Sequence, residues 1–147
     1  MVAPVGRQED IADVSHDVDV VTVLIAEASP PALFALRALL GDDGRFEVVG
    51  EVYTGEGLVD YEGEPRVVLV DLALPGLNAH DAVAAFRPGH PRCSIVVMAP
   101  VEAEYLRQAM ISAGADDYVV VTNPKQPFLD RLSATVTATA AATRIPR

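Results

Sequence analysis

Arg66-Val67-Val68-Leu69-Val70-Asp71-Leu72-Ala73-Leu74-Pro75-Gly76 is an uninterrupted aliphatic run that ends in one acid and then breaks at Pro-Gly. Four consecutive β-branched or branched apolar residues leave no polar face, so the run suits a strand covered on both sides, as in a parallel sheet. Pro75-Gly76 forces a turn, which places Asp71 at the strand's carboxyl end.

The same grammar recurs on either side. Upstream, residues 20–26 (Val-Val-Thr-Val-Leu-Ile-Ala) read as a first buried strand. Ser29-Pro30 follows as a helix N-cap with Pro at the first helical position, Leu33, Leu36, Leu39 and Leu40 keep helical spacing, and Gly41 reads as the stop. Residues 46–52 are a second strand, 55–63 a short helix, 79–87 a helix, 94–98 a fourth strand, 102–113 a helix closed by Gly114, and 117–121 a fifth strand. A last helix is expected over 127–142, with Phe128, Leu129, Leu132 and Val136 on one stripe. Five apolar strands alternating with five helices predict an α/β domain, a doubly wound parallel sheet with helices on both faces. The expected organisation is an acidic N-terminal tail over 1–19, one domain over 20–138, and a C-terminal tail or linker over 139–147, where a Thr/Ala tract could also prolong the helix.

The chain's 147 residues suffice for one domain with a real core. Its net charge of −10 argues against direct nucleic-acid binding and against docking on anionic membranes, both of which need cations. Cys93 is the sole cysteine, so an intrachain disulfide is excluded; this fits a reducing cytoplasm, and Cys93 reads as packing. The N-terminus lacks the apolar stretch of a signal peptide, and no run is long enough to span a membrane. His16, His80 and His90 are scattered and read as surface residues; no Ser/His/Asp set or metal-spaced His/Cys set is present.

In an open doubly wound sheet the functional crevice lies beyond the carboxyl ends of the strands. Strand one ends in Glu27 and Ala28, strand three in Asp71, strand four in Ala99 and Pro100, strand five in Val121 and Thr122. Glu27 and Asp71 would lie together if strands one and three are neighbours. Such a pair could hold Mg²⁺, or could be solvated acids that cap the following turns.

Residues 23–27, 46–51, 67–76 and 113–118 together resemble the receiver domain of bacterial two-component response regulators, nearest to receivers of regulators with a LuxR-type (NarL/FixJ-like) helix-turn-helix output. The resemblance covers about residues 20–135 and implies strand order 2-1-3-4-5. It also implies a site of five groups: two acids after strand one that organise Mg²⁺, an Asp after strand three that accepts a phosphoryl group, a hydroxyl after strand four and a Lys after strand five. Carried over by position, Asp71 falls on the acceptor and Glu27 on the first acid. The second acid falls on Ala28, the hydroxyl on Ala99 and the lysine on Val121. The neighbours Met98 and Pro100 also lack a hydroxyl. Lys125, the chain's only lysine, stands four residues past Val121, where a rearranged loop could bring it toward Asp71; Asn123-Pro124 could occupy the usual Lys-Pro place. Tyr118 falls on the aromatic that follows the hydroxyl inward when the family's switch is thrown.

Three aliphatic side chains thus replace groups that supply charge or hydrogen bonds. The expectation is an atypical receiver, not an enzyme, without a cofactor, that acts independently of phosphorylation through protein contact or self-association at the fourth helix, fifth strand and fifth helix, in transcriptional regulation. Two alternatives stay open. One is a working receiver in which Glu27 and Asp71 hold Mg²⁺ weakly and Asp71 is phosphorylated. The other is a receiver that senses a small molecule on an Ala28/Ala99/Val121 floor.

Overall fold

A computed structural model describes residues 20–121 and 125–144, with the side chains of residues 125, 126, 143 and 144 excluded. The expected tail over 1–19 lies outside the described residues. The strands are β1 (Val21–Ala26), β2 (Phe46–Val52), β3 (Val67–Asp71), β4 (Ser94–Ala99) and β5 (Asp117–Val120). The helices are α1 (Pro30–Gly41), α2 (Gly55–Val59), α3 (Ala79–Phe86), α4 (Glu104–Ala113) and α5 (Lys125–Arg144), with a 3-10 turn over Arg87–Gly89 after α3.

All five strands are parallel, in the order β2-β1-β3-β4-β5. Strand side chains alternate between two cores. Leu24, Val68, Val70, Ile95 and Val97 pack with Val83 and Phe86 of α3 and Met110 of α4. Val23, Ile25, Val67, Leu69 and Val96 pack with Leu33, Leu36 and Leu40 of α1 and the α5 stripe Phe128, Leu129, Leu132 and Val136. The central strands are therefore sealed on both faces, as an unbroken aliphatic run requires. At the β2 edge the register jumps between Val23–Val48 and Leu24–Gly50, which leaves Val49 as an extra, half-exposed residue. Such a bulge blunts an edge that could otherwise pair with another chain.

Several boundaries differ from the sequence reading, each for a local reason. Gly41 ends α1 as an ordinary helical residue and is not a left-handed stop; Asp42, itself right-handed, takes the C-cap. Helix α2 closes at Val59, because Asp60 caps it and Tyr61 turns back onto Leu58. Helix α4 begins at Glu104, while Glu102 stands outside it and binds Arg107. Helix α5 starts at Lys125, and Pro127 fits within its first turn, where a backbone N–H would have no helical acceptor. It then continues to Arg144 across the expected boundary at residue 138. Alanine favours the helix and offsets the small cost of Thr135 and Thr137, whose hydroxyls donate to carbonyls one turn back at 3.0 Å. Arg131 fastens α5 to β5 by gripping both Asp117 oxygens, at 2.8 and 2.7 Å. His90 is half-buried against Phe86, ring centroids 3.8 Å apart, and not simply on the surface. Cys93 is buried, and burial pushes its thiol up to about 12, which fits packing and not reactivity.

The turn after β3 is held by α2. Gly76 has φ +78°, where a Cβ is disfavoured, and the Glu56 carboxylate accepts from Leu77 N–H at 3.1 Å. Gly55 N–H donates to Pro75 O at 2.9 Å, and a Cβ on Gly55 would sit 1.9 Å from Leu77 O. Gly55→Ala is therefore expected to cost about 3 kcal/mol in urea unfolding, since backbone must move. Gly41→Ala, with open space at its Cβ, should be neutral or mildly stabilising. Equal effects of the two substitutions would contradict the close docking of this turn.

Candidate functional site

The carboxyl ends of β1, β3 and β4 and the start of α1 surround a cavity of about 460 Å³. Asp71 closes β3 opposite Met98, and its Oδ1 accepts from Ala73 N–H at 3.2 Å. Glu27 follows β1, with its backbone N–H on Val52 O at 3.0 Å. Its side chain is 6 % exposed, and Oε2 accepts from Ser29 N–H at 3.0 Å. Ser29 thus occupies the α1 N-cap without using its hydroxyl there. Its backbone instead clamps Glu27.

Glu27 and Asp71 both line the cavity. Burial, and then the neighbouring Asp71 carboxyl, hold the Glu27 carboxyl above its ordinary value, against the Ser29 N–H that favours the anion. The folded protein therefore binds this proton more tightly than the unfolded chain does. Stability from this group is present at low pH and is lost as pH rises through the folded value. Glu27→Gln should accordingly melt at a higher temperature than the parent at neutral pH, with the gap narrowing as pH falls toward the ordinary glutamate range. Differential scanning fluorimetry from pH 7 to about 4.5 measures it. A gap independent of pH would contradict the buried carboxylate.

Ala99 is 3 % exposed and Val121 40 %, and both contribute apolar wall. Val121 N–H still donates to Ala99 O at 3.1 Å, so the sheet ladder continues one residue past β5, and both residues line the cavity. Ala28 is half-buried next to Glu27 but does not line the cavity. Of the residues singled out from sequence, Glu27, Asp71, Ala99 and Val121 are brought together. The side chain of Lys125 and residues 122–124, including Asn123-Pro124, lie outside the described residues. Sequence reading did not single out Ala32 and Ala35, whose small side chains, with that of Ala73, open the cavity. The spacing of Ala32 and Ala35 on one face of α1 was the available signal.

Tyr118, on β5, points inward and is fully buried. Its hydroxyl donates to Val101 O at 3.0 Å, and the Arg107 guanidinium lies 5.0 Å from its ring centroid. Glu102 in turn holds Arg107 through a forked ion pair of 2.8–3.1 Å. Arg107 was not anticipated; a lone arginine on an exposed helix carries no sequence signal of this role.

The sequence matches the response regulator receiver domain family over residues 23–133. The chain belongs to that family, whose members include NarL- and LuxR-type regulators. It is 32% identical over 123 residues to the transcriptional regulatory protein KdpE of Mycobacterium tuberculosis, covering 84% of this chain and 54% of that protein. It is 33% identical over 106 residues to a protein-glutamate methylesterase/protein-glutamine glutaminase of Paramagnetospirillum magneticum, covering 71% of this chain and 30% of that protein. It is 28% identical over 114 residues to the nitrate/nitrite response regulator NarP of Escherichia coli, covering 76% of this chain and 53% of that one. The chain thus spans between about a third and a little over half of these relatives. Among solved structures, a CheY-like receiver from Methanospirillum hungatei superposes with TM-score 0.73 at 18% identity, covering 84% of this chain and 99% of that one. A receiver of a Pseudomonas aeruginosa sensor histidine kinase, with magnesium coordinated in its active-site cleft, gives TM-score 0.70 at 19% identity, covering 81% and 99%.

Receiver domains bind Mg²⁺, and the donor set here fits that ion poorly. Two carboxylates face the cavity, and each is already engaged by a backbone N–H, Glu27 by Ser29 and Asp71 by Ala73. The next side chain, Ala28, is a methyl, and among the described residues no group of three His, Cys, Asp or Glu could hold a metal. Magnesium needs a near-octahedral oxygen shell. Among the described residues no helix is long and apolar enough to cross a membrane.

Proposed function

We propose that this chain is an atypical receiver that signals by contact and not by phosphorylation. The observation that carries the reading is the aliphatic wall beside Asp71, where Ala99 and Val121 line the cavity; by the resemblance to receivers these two positions correspond to the hydroxyl and the lysine, and Ala28, outside the lining, to the second acid. A phosphoaspartate would add roughly −1.5 to −2 charges beside Glu27 with nothing cationic in the described lining to receive them. Asp71 then survives as the centre of a site without a phosphoacceptor's support, and no cofactor is used.

The contact surface in this reading is α4, β5 and α5. Tyr105 and Ile111 of α4 and Val101 just before it are exposed. Beneath them Tyr118 is already held inward by Val101 and Arg107, with no hydroxyl at Ala99 to draw it. With the ring held inward, the surface is available for self-association or for a protein partner in the cytoplasm. Relatives such as KdpE and NarP point to transcriptional regulation as the setting. The acidic domain leaves nucleic-acid contact and membrane contact to other parts, and it catalyses no reaction of its own.

Incubation with acetyl phosphate and Mg²⁺, followed by intact mass spectrometry, tests the reading. The expected result is no phosphoryl adduct under conditions that label an ordinary receiver to completion. Efficient labelling that disappears in Asp71→Asn would overturn it.

A further inference from the structure

The cavity at Asp71 is apolar along its length and acidic at its floor. Ala32, Ala35 and Leu36 of α1 line it together with Met98, Pro100 and Val121 from the strand ends. No Lys, Arg or His is in the described lining. At the floor the Ser29 N–H donates to Glu27 and the Ala73 N–H to Asp71, and the two carboxyls lie close enough to share a side-chain hydrogen bond. A carboxylate has about four acceptor sites, so this floor retains acceptor capacity and negative potential. Its volume of about 460 Å³ falls within the range of small-molecule sites.

These features select the occupant by charge and shape. An anion is repelled by Glu27 and Asp71. A hydrated magnesium ion gains nothing from methyl walls and would have to give up water for too few oxygens. A neutral apolar molecule would cover the carboxylates without pairing them, at the cost of their hydration. We propose that the cavity binds a small organic cation, a protonated amine on an apolar body, with the ammonium between Glu27 and Asp71 and the hydrocarbon against Ala35 and Val121. Paired hydrogen bonds from one ammonium to two carboxylates are the charge-assisted kind, and they strengthen away from water. The proposal does not depend on the phosphorylation reading: a phosphoryl adduct would defeat that reading alone, and failure of amine binding would defeat this one alone.

The test titrates hexylammonium chloride into the full chain by calorimetry and by amide NMR at fixed ionic strength, beside 1-hexanol, hexanoate and magnesium chloride. Saturable binding of hexylammonium is expected, with shifts at Ala35, Ala99 and Val121, and none with hexanoate. Glu27→Gln and Asp71→Asn should each weaken it on the order of tenfold. Ala35→Leu fills the mouth from an exposed helix position and should abolish it while the circular dichroism spectrum stays that of the parent. Binding of 1-hexanol as tight as that of the amine would overturn the proposal. So would displacement by equimolar Mg²⁺, absence of saturation below the amine's micelle-forming concentration, or binding unchanged by all three substitutions. The last would mark diffuse attraction to a chain of net charge −10.

Discussion

The triple substitution Ala28→Asp, Ala99→Thr, Val121→Lys is expected to turn an unlabelled protein into one that takes up a phosphoryl group from acetyl phosphate at Asp71. The backbone for that chemistry is already in place. Asp71 closes β3, Glu27 follows β1, and Ala99 and Val121 line the same cavity as both acids. Ala28, Ala99 and Val121 carry neither charge nor hydrogen-bonding groups, and the substitutions supply both. Each lost oxyanion donor costs about 2.7–4 kcal/mol in a transition state, a factor of roughly 10²–10³ in rate. Two of the changes, Ala99→Thr and Val121→Lys, supply such donors, while Ala28→Asp supplies a metal ligand; their effects meet on one phosphoryl group and will not add, so a gain of at least about 10³ is expected. Intact mass against time, with and without EDTA, measures it, and Asp71→Asn on the triple background must abolish the signal. Val121→Lys alone should raise the melting temperature, because it sets a cation against two carboxylates. Ala28→Asp alone should lower it by adding a third acid beside Glu27, and Mg²⁺ should recover the loss. A triple variant that folds and stays unlabelled would show that the defect does not lie in these three side chains.

The fold was legible in the sequence because its signals are redundant. The run ending at Asp71 is apolar on both faces, each strand is followed by a break and a helical repeat, and Phe128, Leu129, Leu132 and Val136 fall on one stripe that is buried as a unit. Boundaries were less legible where two local rules compete. Gly41 looked like a stop, yet the helix cap is Asp42, and Pro127 looked like a start, yet it fits inside a first turn begun at Lys125. Strand ends could be listed from sequence, and topology then brought Glu27, Asp71, Ala99 and Val121 to one cavity. The cavity itself was not legible. It exists because Ala32, Ala35 and Ala73 are small, and an alanine announces space only once its neighbours are known. The Arg107–Tyr118 contact was hidden for a similar reason, since it joins a helix to a strand through a side chain that reads as surface charge.

Tyr118→Ala should cost about 3–5 kcal/mol, the second large effect expected from this structure. The ring is fully buried between β5 and α4, so its removal leaves a cavity that the sheet edge cannot easily close. For a domain of this size the melting temperature should fall by about 10 °C or more. Tyr118→Phe keeps the ring and loses only the bond to Val101 O, which predicts a smaller cost of about 1 kcal/mol. Arg107→Ala removes the cation over the ring and its fork to Glu102, at a half-exposed position, which is worth about 0.5–1 kcal/mol. The ordering matters more than the sizes. If the inward ring is part of the core, the ranking is Ala far above Phe, and Phe near or above the arginine change. If Tyr118 instead moves in and out as a switch, the inward site must be nearly as stable when empty, and Tyr118→Ala would cost little more than Tyr118→Phe. Urea unfolding of the four proteins decides between these, and a small cost for Tyr118→Ala would assign this domain a conformational switch despite the methyl side chain at Ala99.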